Sequence, residues 1–182
     1  MENDQEHPAV ATSPDGDPWL LTPGPLTTSS TVKQAMLHDY GSRDSHFIDI
    51  NNRICRRLTQ IVNGHKTHVC VPVQGSGTFV VEAMLITFIP RSGKVLLLVN
   101  GEYGKRMMEI CSIHERTYTT LETTEDLPVN TDELDRQLAA DPGITHVAVV
   151  HCETTSGILN PIETVAKVTA AHRRSLLIDA MS

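Results

Sequence analysis

From residue 67 to residue 182, short and mostly continuous apolar runs alternate with longer segments whose apolar residues recur at helical spacing. No other feature of the chain constrains its fold as much. The runs THVCVPV, VLLLVN, RTYTTLE, THVAVVHC and SLLIDAMS have the length and the valine, isoleucine, threonine and leucine content of strands. Strands without polar alternation are buried on both faces, which is the condition of a parallel sheet covered by helices above and below. The segments between them, TFVVEAMLITFI, GKRMMEICSIH, NTDELDRQLAAD and PIETVAKVTAAHRR, supply those helices. Asn130 is placed to cap one of them with Glu133 reaching back, Pro161 opens another, and RSGK reads as a turn. Upstream, SSTVKQAMLHDYG repeats Val32, Met36 and Leu37 at helix spacing and stops at Gly41. DSHFIDINNRICRRLTQIVNG aligns Phe47, Ile50, Ile54 and Leu58, then Ile61 or Val62, on one stripe that Asn63-Gly64 ends. The second of these predicts an amphipathic helix packed on a sheet. The expected class is α/β, a three-layer α/β/α arrangement around a mostly parallel sheet.

At 182 residues the chain is long enough for one such domain without metal or disulfide staples. Fifteen Lys and Arg stand against twenty-two Asp and Glu, a net charge of −7 with no basic cluster, so nucleic acid is not an expected partner. Cys55, Cys70, Cys111 and Cys152 are far apart and show no zinc-ligand spacing; they read as free thiols of a reducing compartment. Residues 1–18 are acidic and rich in Pro and Gly, lack an apolar core, and are expected to form a disordered leader, with order beginning near Trp19 and one domain over 19–182. No run is long enough to span a membrane. A soluble cytoplasmic protein is the expectation.

In parallel α/β sheets ligands sit beyond the carboxyl ends of the strands. Four loops there carry glycine or polar residues: Gln74 to Thr78, Asn100 to Gly104, Glu153 to Gly157, and Asp179 to Ser182. In QGSGTFVVEA the glycines allow close backbone approach, and the amides and hydroxyls of Ser76, Gly77 and Thr78 at a helix start suit a phosphate; equally, the turn serves as a tight connection. Val80 replaces the last glycine of GxGxxG, and a P-loop lysine is missing, so dinucleotides and nucleoside triphosphates are disfavoured. Ser76 in GSG also does not match the GxSxG of a hydrolase with His151 and Asp179 as partners.

Asp179 ends the apolar run LLIDA, where a carboxylate needs a cation or strong donor; a pyridinium nitrogen is one such partner, a loop cap the plainer alternative. Tyr103 has a ring suited to stacking on a planar group or to core packing. Thr154 has a hydroxyl for a ring oxygen or for its own turn.

These segments together, with LLTPGPLTTSSTVKQAM, GSRD, NGEYGKR, HCETTSGILNPI and LLIDAMS, resemble the class V pyridoxal-phosphate-dependent aminotransferases of fold type I. The resemblance runs from about Trp19 to Ser182. GSRD, QGSGTF and NGEYGKR lean toward members whose amino donor is 2-aminoethylphosphonate and whose acceptor is pyruvate; TPGP, GSG and HxET also occur in alanine:glyoxylate and serine:pyruvate relatives. The resemblance implies pyridoxal 5'-phosphate as cofactor, held by Ser76, Gly77 and Thr78 at its phosphate, Tyr103 over the ring, Thr154 at the ring hydroxyl and Asp179 at the ring nitrogen. It implies a homodimer and places Pro23-Gly24-Pro25 and Gly41-Ser42-Arg43 near the substrate entrance, with Arg43 toward an anionic substrate group or in a surface ion pair. It also implies a Schiff-base lysine beyond the Asp179 strand. None of Lys33, Lys66, Lys94, Lys105 and Lys167 matches that position, so no catalytic residue is assigned. The expectation is the N-terminal part of such an enzyme, inactive alone, or a non-catalytic module binding a phosphate-bearing ligand or a partner subunit.

Overall fold

The computed structural model describes residues 11–22 and 24–182, and four parallel strands in it form one sheet. They are β1 (Lys94–Val99), β2 (Thr117–Glu122), β3 (Ile144–Val150) and, last in the chain, the strand Ser175–Asp179. Between β3 and that last strand a short antiparallel hairpin pairs β4 (Cys152–Glu153) with β5 (Ile158–Leu159), so Ser175–Asp179 is β6 and the sheet order is β2-β1-β3-β6. Val95 lies opposite Tyr118 on one side and His146 on the other, and Val150 opposite Asp179, which aligns the carboxyl ends of β3 and β6.

Helices cover both faces. On one face α3 (Gly77–Phe88) and α4 (Glu102–Ile113) bury Leu85, Ile89, Met107 and Cys111 against Val95, Leu97, Val99 and Ala148. On the other, α5 (Thr131–Ala140) and α6 (Ile162–Ala171) bury Leu134, Leu138 and Val165 against Leu96, Leu98, Val147 and Val149. Successive residues of β1 therefore feed opposite cores, and Val95 to Leu98 are all but fully buried. This is the reason the run shows no polar alternation. The α/β class and the mostly parallel three-layer arrangement expected from the pattern are what the fold shows.

Several local expectations are corrected. THVCVPV forms no strand: residues 67–73 lie outside every strand, with Val69 86% and Val71 71% exposed. β-propensity becomes a strand only when a neighbour supplies ladder hydrogen bonds, and no described strand pairs with this run. α4 begins two residues earlier than GKRMMEICSIH suggested, so Tyr103 sits in its first turn and not in a loop. Asn130 does cap α5, accepting the N–H groups of Asp132 and Glu133 at 3.1 and 3.0 Å, but Glu133 does not reach back. Its carboxylate meets Arg136 at 2.8 Å and Gln137 at 3.3 Å, so an ion pair one turn along replaces the second half of the box.

The chain divides into two compact units, residues 1–74 and 75–182. All strands of the parallel sheet belong to the second. In the first, α1 is Ser30–Ala35, shorter than expected, with Met36 and Leu37 beyond it and exposed. α2 is Ser45–Ile61, and Asn63 follows it in the left-handed conformation at φ 53°. None of the α2 residues is buried, and the Ile54 and Leu58 side chains of its stripe are each 47% exposed, so the expected packing on a sheet is not seen in its burial. Of the expected leader, residues 1–10 lie outside the described residues. Residues 11–18 form a turn closed by a bridge between Thr12 and Pro18, and Asp15 and Asp17 both pair with Lys33 on α1.

Candidate functional site

Thr78, Tyr103, Arg106 and Asp179 line one crevice together with Val81 and Ile110. Its enclosed volume of about 10 Å³ matches a single water, so a larger ligand would lie across its mouth. Thr78 comes from α3, Tyr103 and Arg106 from α4, and Asp179 from the end of β6.

Ser76 ends an extended segment and caps α3, its Oγ accepting the Phe79 N–H at 3.2 Å while its carbonyl accepts from Val80. The N–H groups of Gly77 and Thr78 precede the first intrahelical bond and so are unused by the helix. Gly75, at φ 144°, needs glycine to make the turn. Two free amides, two hydroxyls and the positive end of a 12-residue helix converge there.

Asp179 ends β6 and is 7% exposed. Its Oδ1 accepts the Met181 N–H at 3.1 Å, and no Lys, Arg or His forms an ion pair with it among the described residues. Burial pushes the carboxyl above the usual carboxylate range; the Met181 N–H opposes this, and the nearby Glu153 charge adds to it. A buried carboxylate with one donor and no cation is short of a partner, and a protonated ring nitrogen has the charge and hydrogen to supply one. On this observation the site suits a pyridine-bearing cofactor.

Tyr103 is 37% exposed at the start of α4, with the Arg106 guanidinium 5.7 Å from its ring centroid. Thr154 lies in the β4–β5 hairpin, where its hydroxyl meets the Ser182 hydroxyl at 2.6 Å. Arg43 stands exposed in the 1–74 unit, in the stretch between α1 and α2. Pro23 of the Pro-Gly-Pro turn lies outside the described residues. The structure therefore joins Thr78, Tyr103 and Asp179 in one crevice, with Ser76 and Gly77 at its α3 side; it does not include Thr154 or Arg43 in that lining.

Sequence reasoning passed over two residues. Glu153, fully buried, turns its carboxylate onto the start of α4 and accepts the N–H groups of Tyr103 at 3.3 Å and Gly104 at 3.4 Å, plus the Thr155 hydroxyl at 3.1 Å. A charged group is tolerated there because it answers the helix dipole and its orphan donors. The signal was present in NGEYG, since any Cβ at Gly101 would overlap the Glu153 side chain. Arg106 is the other, and its spacing of three from Tyr103 on a helix was the available cue.

No lysine lines the crevice. Lys105, the nearest in sequence, is held by Glu102 at 2.6 Å and Glu125 at 2.9 Å, and these carboxylates raise its pKa. Among the described residues no cluster of His, Cys, Asp or Glu could hold a metal ion, and no helix is long and apolar enough to cross a membrane.

No family model matches the chain. It is 54% identical over 165 residues to a 2-aminoethylphosphonate–pyruvate transaminase of Pseudomonas aeruginosa, a match covering 91% of this chain and 44% of the relative. The chain spans less than half the length of the curated relatives it matches. Among solved structures it is similar to an alanine–glyoxylate aminotransferase of Nostoc, with 25% identity, TM-score 0.79 and coverage of 98% of this chain and 47% of the other. It is similar also to a pyridoxamine–pyruvate aminotransferase of Mesorhizobium loti, with 23% identity, TM-score 0.77 and coverage of 87% and 40%. Over the residues it holds, the chain is similar in sequence to this transaminase and has the parallel three-layer fold of the fold type I, pyridoxal-phosphate-dependent aminotransferases.

Proposed function

We propose that these residues are the cofactor-binding part of a 2-aminoethylphosphonate:pyruvate transaminase, which moves the amino group of 2-aminoethylphosphonate to pyruvate and yields phosphonoacetaldehyde and alanine. The observation that carries the reading is the 54% identity over 165 residues, against 25% for the alanine–glyoxylate and 23% for the pyridoxamine–pyruvate aminotransferase named above. Pyridoxal phosphate, when bound, supplies the aldehyde that takes up the amino group and a ring that withdraws electrons from the amine carbon. Asp179 would hold a proton on the ring nitrogen, a task suited to a buried carboxylate with no ion pair among the described residues. The free amides of Gly77 and Thr78, with the Ser76 and Thr78 hydroxyls, would hold the phosphate. Tyr103 would flank the ring and shield one face from water, and Thr154 would reach the ring hydroxyl. Arg43 would meet an anionic substrate group, and two copies would assemble as a homodimer in the cytoplasm.

Proton movement at the amine carbon needs a base of pKa near the working pH. No lysine lines the crevice, and Lys105 is held outside its lining by Glu102 and Glu125. That one observation favours a second reading, in which these 182 residues bind cofactor or partner without chemistry. The two separate in one assay. Titration of the chain with pyridoxal phosphate, followed by 2-aminoethylphosphonate and pyruvate, is expected to show cofactor uptake and no alanine. Alanine formed in amounts far above the protein supports catalysis by the chain itself. Absence of uptake, with Asp179→Ala behaving like the unaltered chain, overturns the cofactor assignment.

A further inference from the structure

Arg106, the last residue of NGEYGKR, has no role among the binding groups that the resemblance implies. It lies on α4 one turn after Tyr103, and its guanidinium sits over the Tyr103 ring at 5.7 Å. From there Nη1 donates to Thr78 Oγ1 across 3.3 Å, linking α4 to the second residue of α3. Among the described residues no carboxylate forms an ion pair with it, although Lys105 beside it has two. Its charge is thus left facing the end of α3 where amides and hydroxyls gather.

A hydroxyl has one proton to give and two lone pairs to offer. Thr78 Oγ1 spends a lone pair on Arg106, so its own proton is free to point at another acceptor. The guanidinium, which cannot lose its charge, therefore biases the hydroxyl toward donating to an anion. The ring beneath it limits the places the guanidinium can go, because the planar group keeps its contact with Tyr103 while bonding Thr78.

We infer that Arg106 is a positioning residue for the phosphate end of the site, fixing the Thr78 hydroxyl as an outward donor while clamped on the Tyr103 ring. The inference rests on the reading that the site takes pyridoxal phosphate. It acts on the phosphate and not on the ring, so it predicts a difference between pyridoxal phosphate and pyridoxal, which has the same ring without the phosphate.

The test is titration of the full 182-residue chain, unaltered and as R106Q, R106K, T78V and R106Q/T78V, with pyridoxal phosphate and with pyridoxal, alongside thermal unfolding of each. R106Q is expected to weaken pyridoxal phosphate about tenfold, the scale of one hydrogen bond serving a charged group, and to leave pyridoxal within about twofold. Its melting temperature should match that of the unaltered chain, since Arg106 is exposed. R106K keeps the charge but cannot stack and bond together, and should fall between. In the T78V background R106Q should add little further loss, since coupled residues are not additive. Binding of pyridoxal phosphate that R106Q leaves intact, equal losses for the two ligands, or full additivity with T78V would each overturn the role while leaving the cofactor reading standing. Failure of the unaltered chain to bind pyridoxal phosphate would overturn both.

Discussion

Asn100 and Asn160 hold each other in a reciprocal amide pair, each Nδ2 donating to the other's Oδ1 at 3.0 and 3.1 Å with both side chains buried. The remaining Asn100 proton goes to Leu127 O, and the remaining Asn160 proton to Val150 O, while Asn160 Oδ1 also accepts the Val129 N–H. The pair joins the end of β1, the end of β3, the segment before α5 and the β4–β5 hairpin. The end of β1 leads directly into α4, which carries Tyr103 and Arg106, and the hairpin carries Glu153 and Thr154.

Asn160→Ala would strand the Val129 N–H, the Val150 carbonyl and half of the Asn100 amide in the interior. A loss of about 2–4 kcal/mol in unfolding free energy is expected from groups left unpaired in this way. Urea unfolding followed by circular dichroism measures it. A loss no greater than that of an exposed substitution would show that the network is replaced by water at little cost.

Gly101→Ala should destabilise through a single overlap, that of the new Cβ with the Glu153 side chain. The expected cost is about 1–3 kcal/mol, the range for overpacking a filled interior. The same change in a Glu153→Ala background should cost much less, because the obstructing carboxylate is gone. Equal costs in the two backgrounds would place the strain elsewhere.

For Asp179 the pH dependence is opposite to that of most native carboxylates. Its folded pKa is raised above the ordinary 3.8, so the folded state binds the proton more tightly than the unfolded chain. Below that value both states are protonated and the group has no effect. As pH rises from there through the raised folded value, ionisation costs the folded state progressively more, and above it the cost is constant. Asp179→Asn should therefore match the parent at the acid end and melt higher at neutral pH, while binding pyridoxal phosphate more weakly. Differential scanning calorimetry across pH decides it; a neutral-pH melting point below the parent's would contradict the sign.

Lys105 is expected to stay unlabelled. With Glu102, then Glu125, favouring its charged form, it remains an ammonium and a poor nucleophile toward an aldehyde. Borohydride reduction in the presence of pyridoxal phosphate, followed by peptide mass spectrometry, should find no dominant adduct there. The double variant Glu102→Gln, Glu125→Gln should label it more readily. Stoichiometric labelling of Lys105 in the unaltered chain would reverse this assignment.

The four parallel strands and the helices between them from Lys94 onward, though not the β4–β5 hairpin, could be read from the residues alone, because continuous apolar runs such as VLLLV are direct consequences of burial on two faces. So could the glycine turn before α3 and the Asn130 cap, where local chemistry decides local conformation. THVCVPV shows where such reading fails: its composition favours a strand, but a strand needs a neighbour that composition does not name. Which side chains meet was decided only by the tertiary structure. Glu153 reaches α4 from about fifty residues away, Arg106 crosses to Thr78 over twenty-eight, and Asp179 has no ion pair among the described residues because of what surrounds it and not because of its own sequence. Hydrogen bonds and charges act through space, over a few ångströms. The order of residues sets the elements that carry them, and the packing of those elements sets the distances.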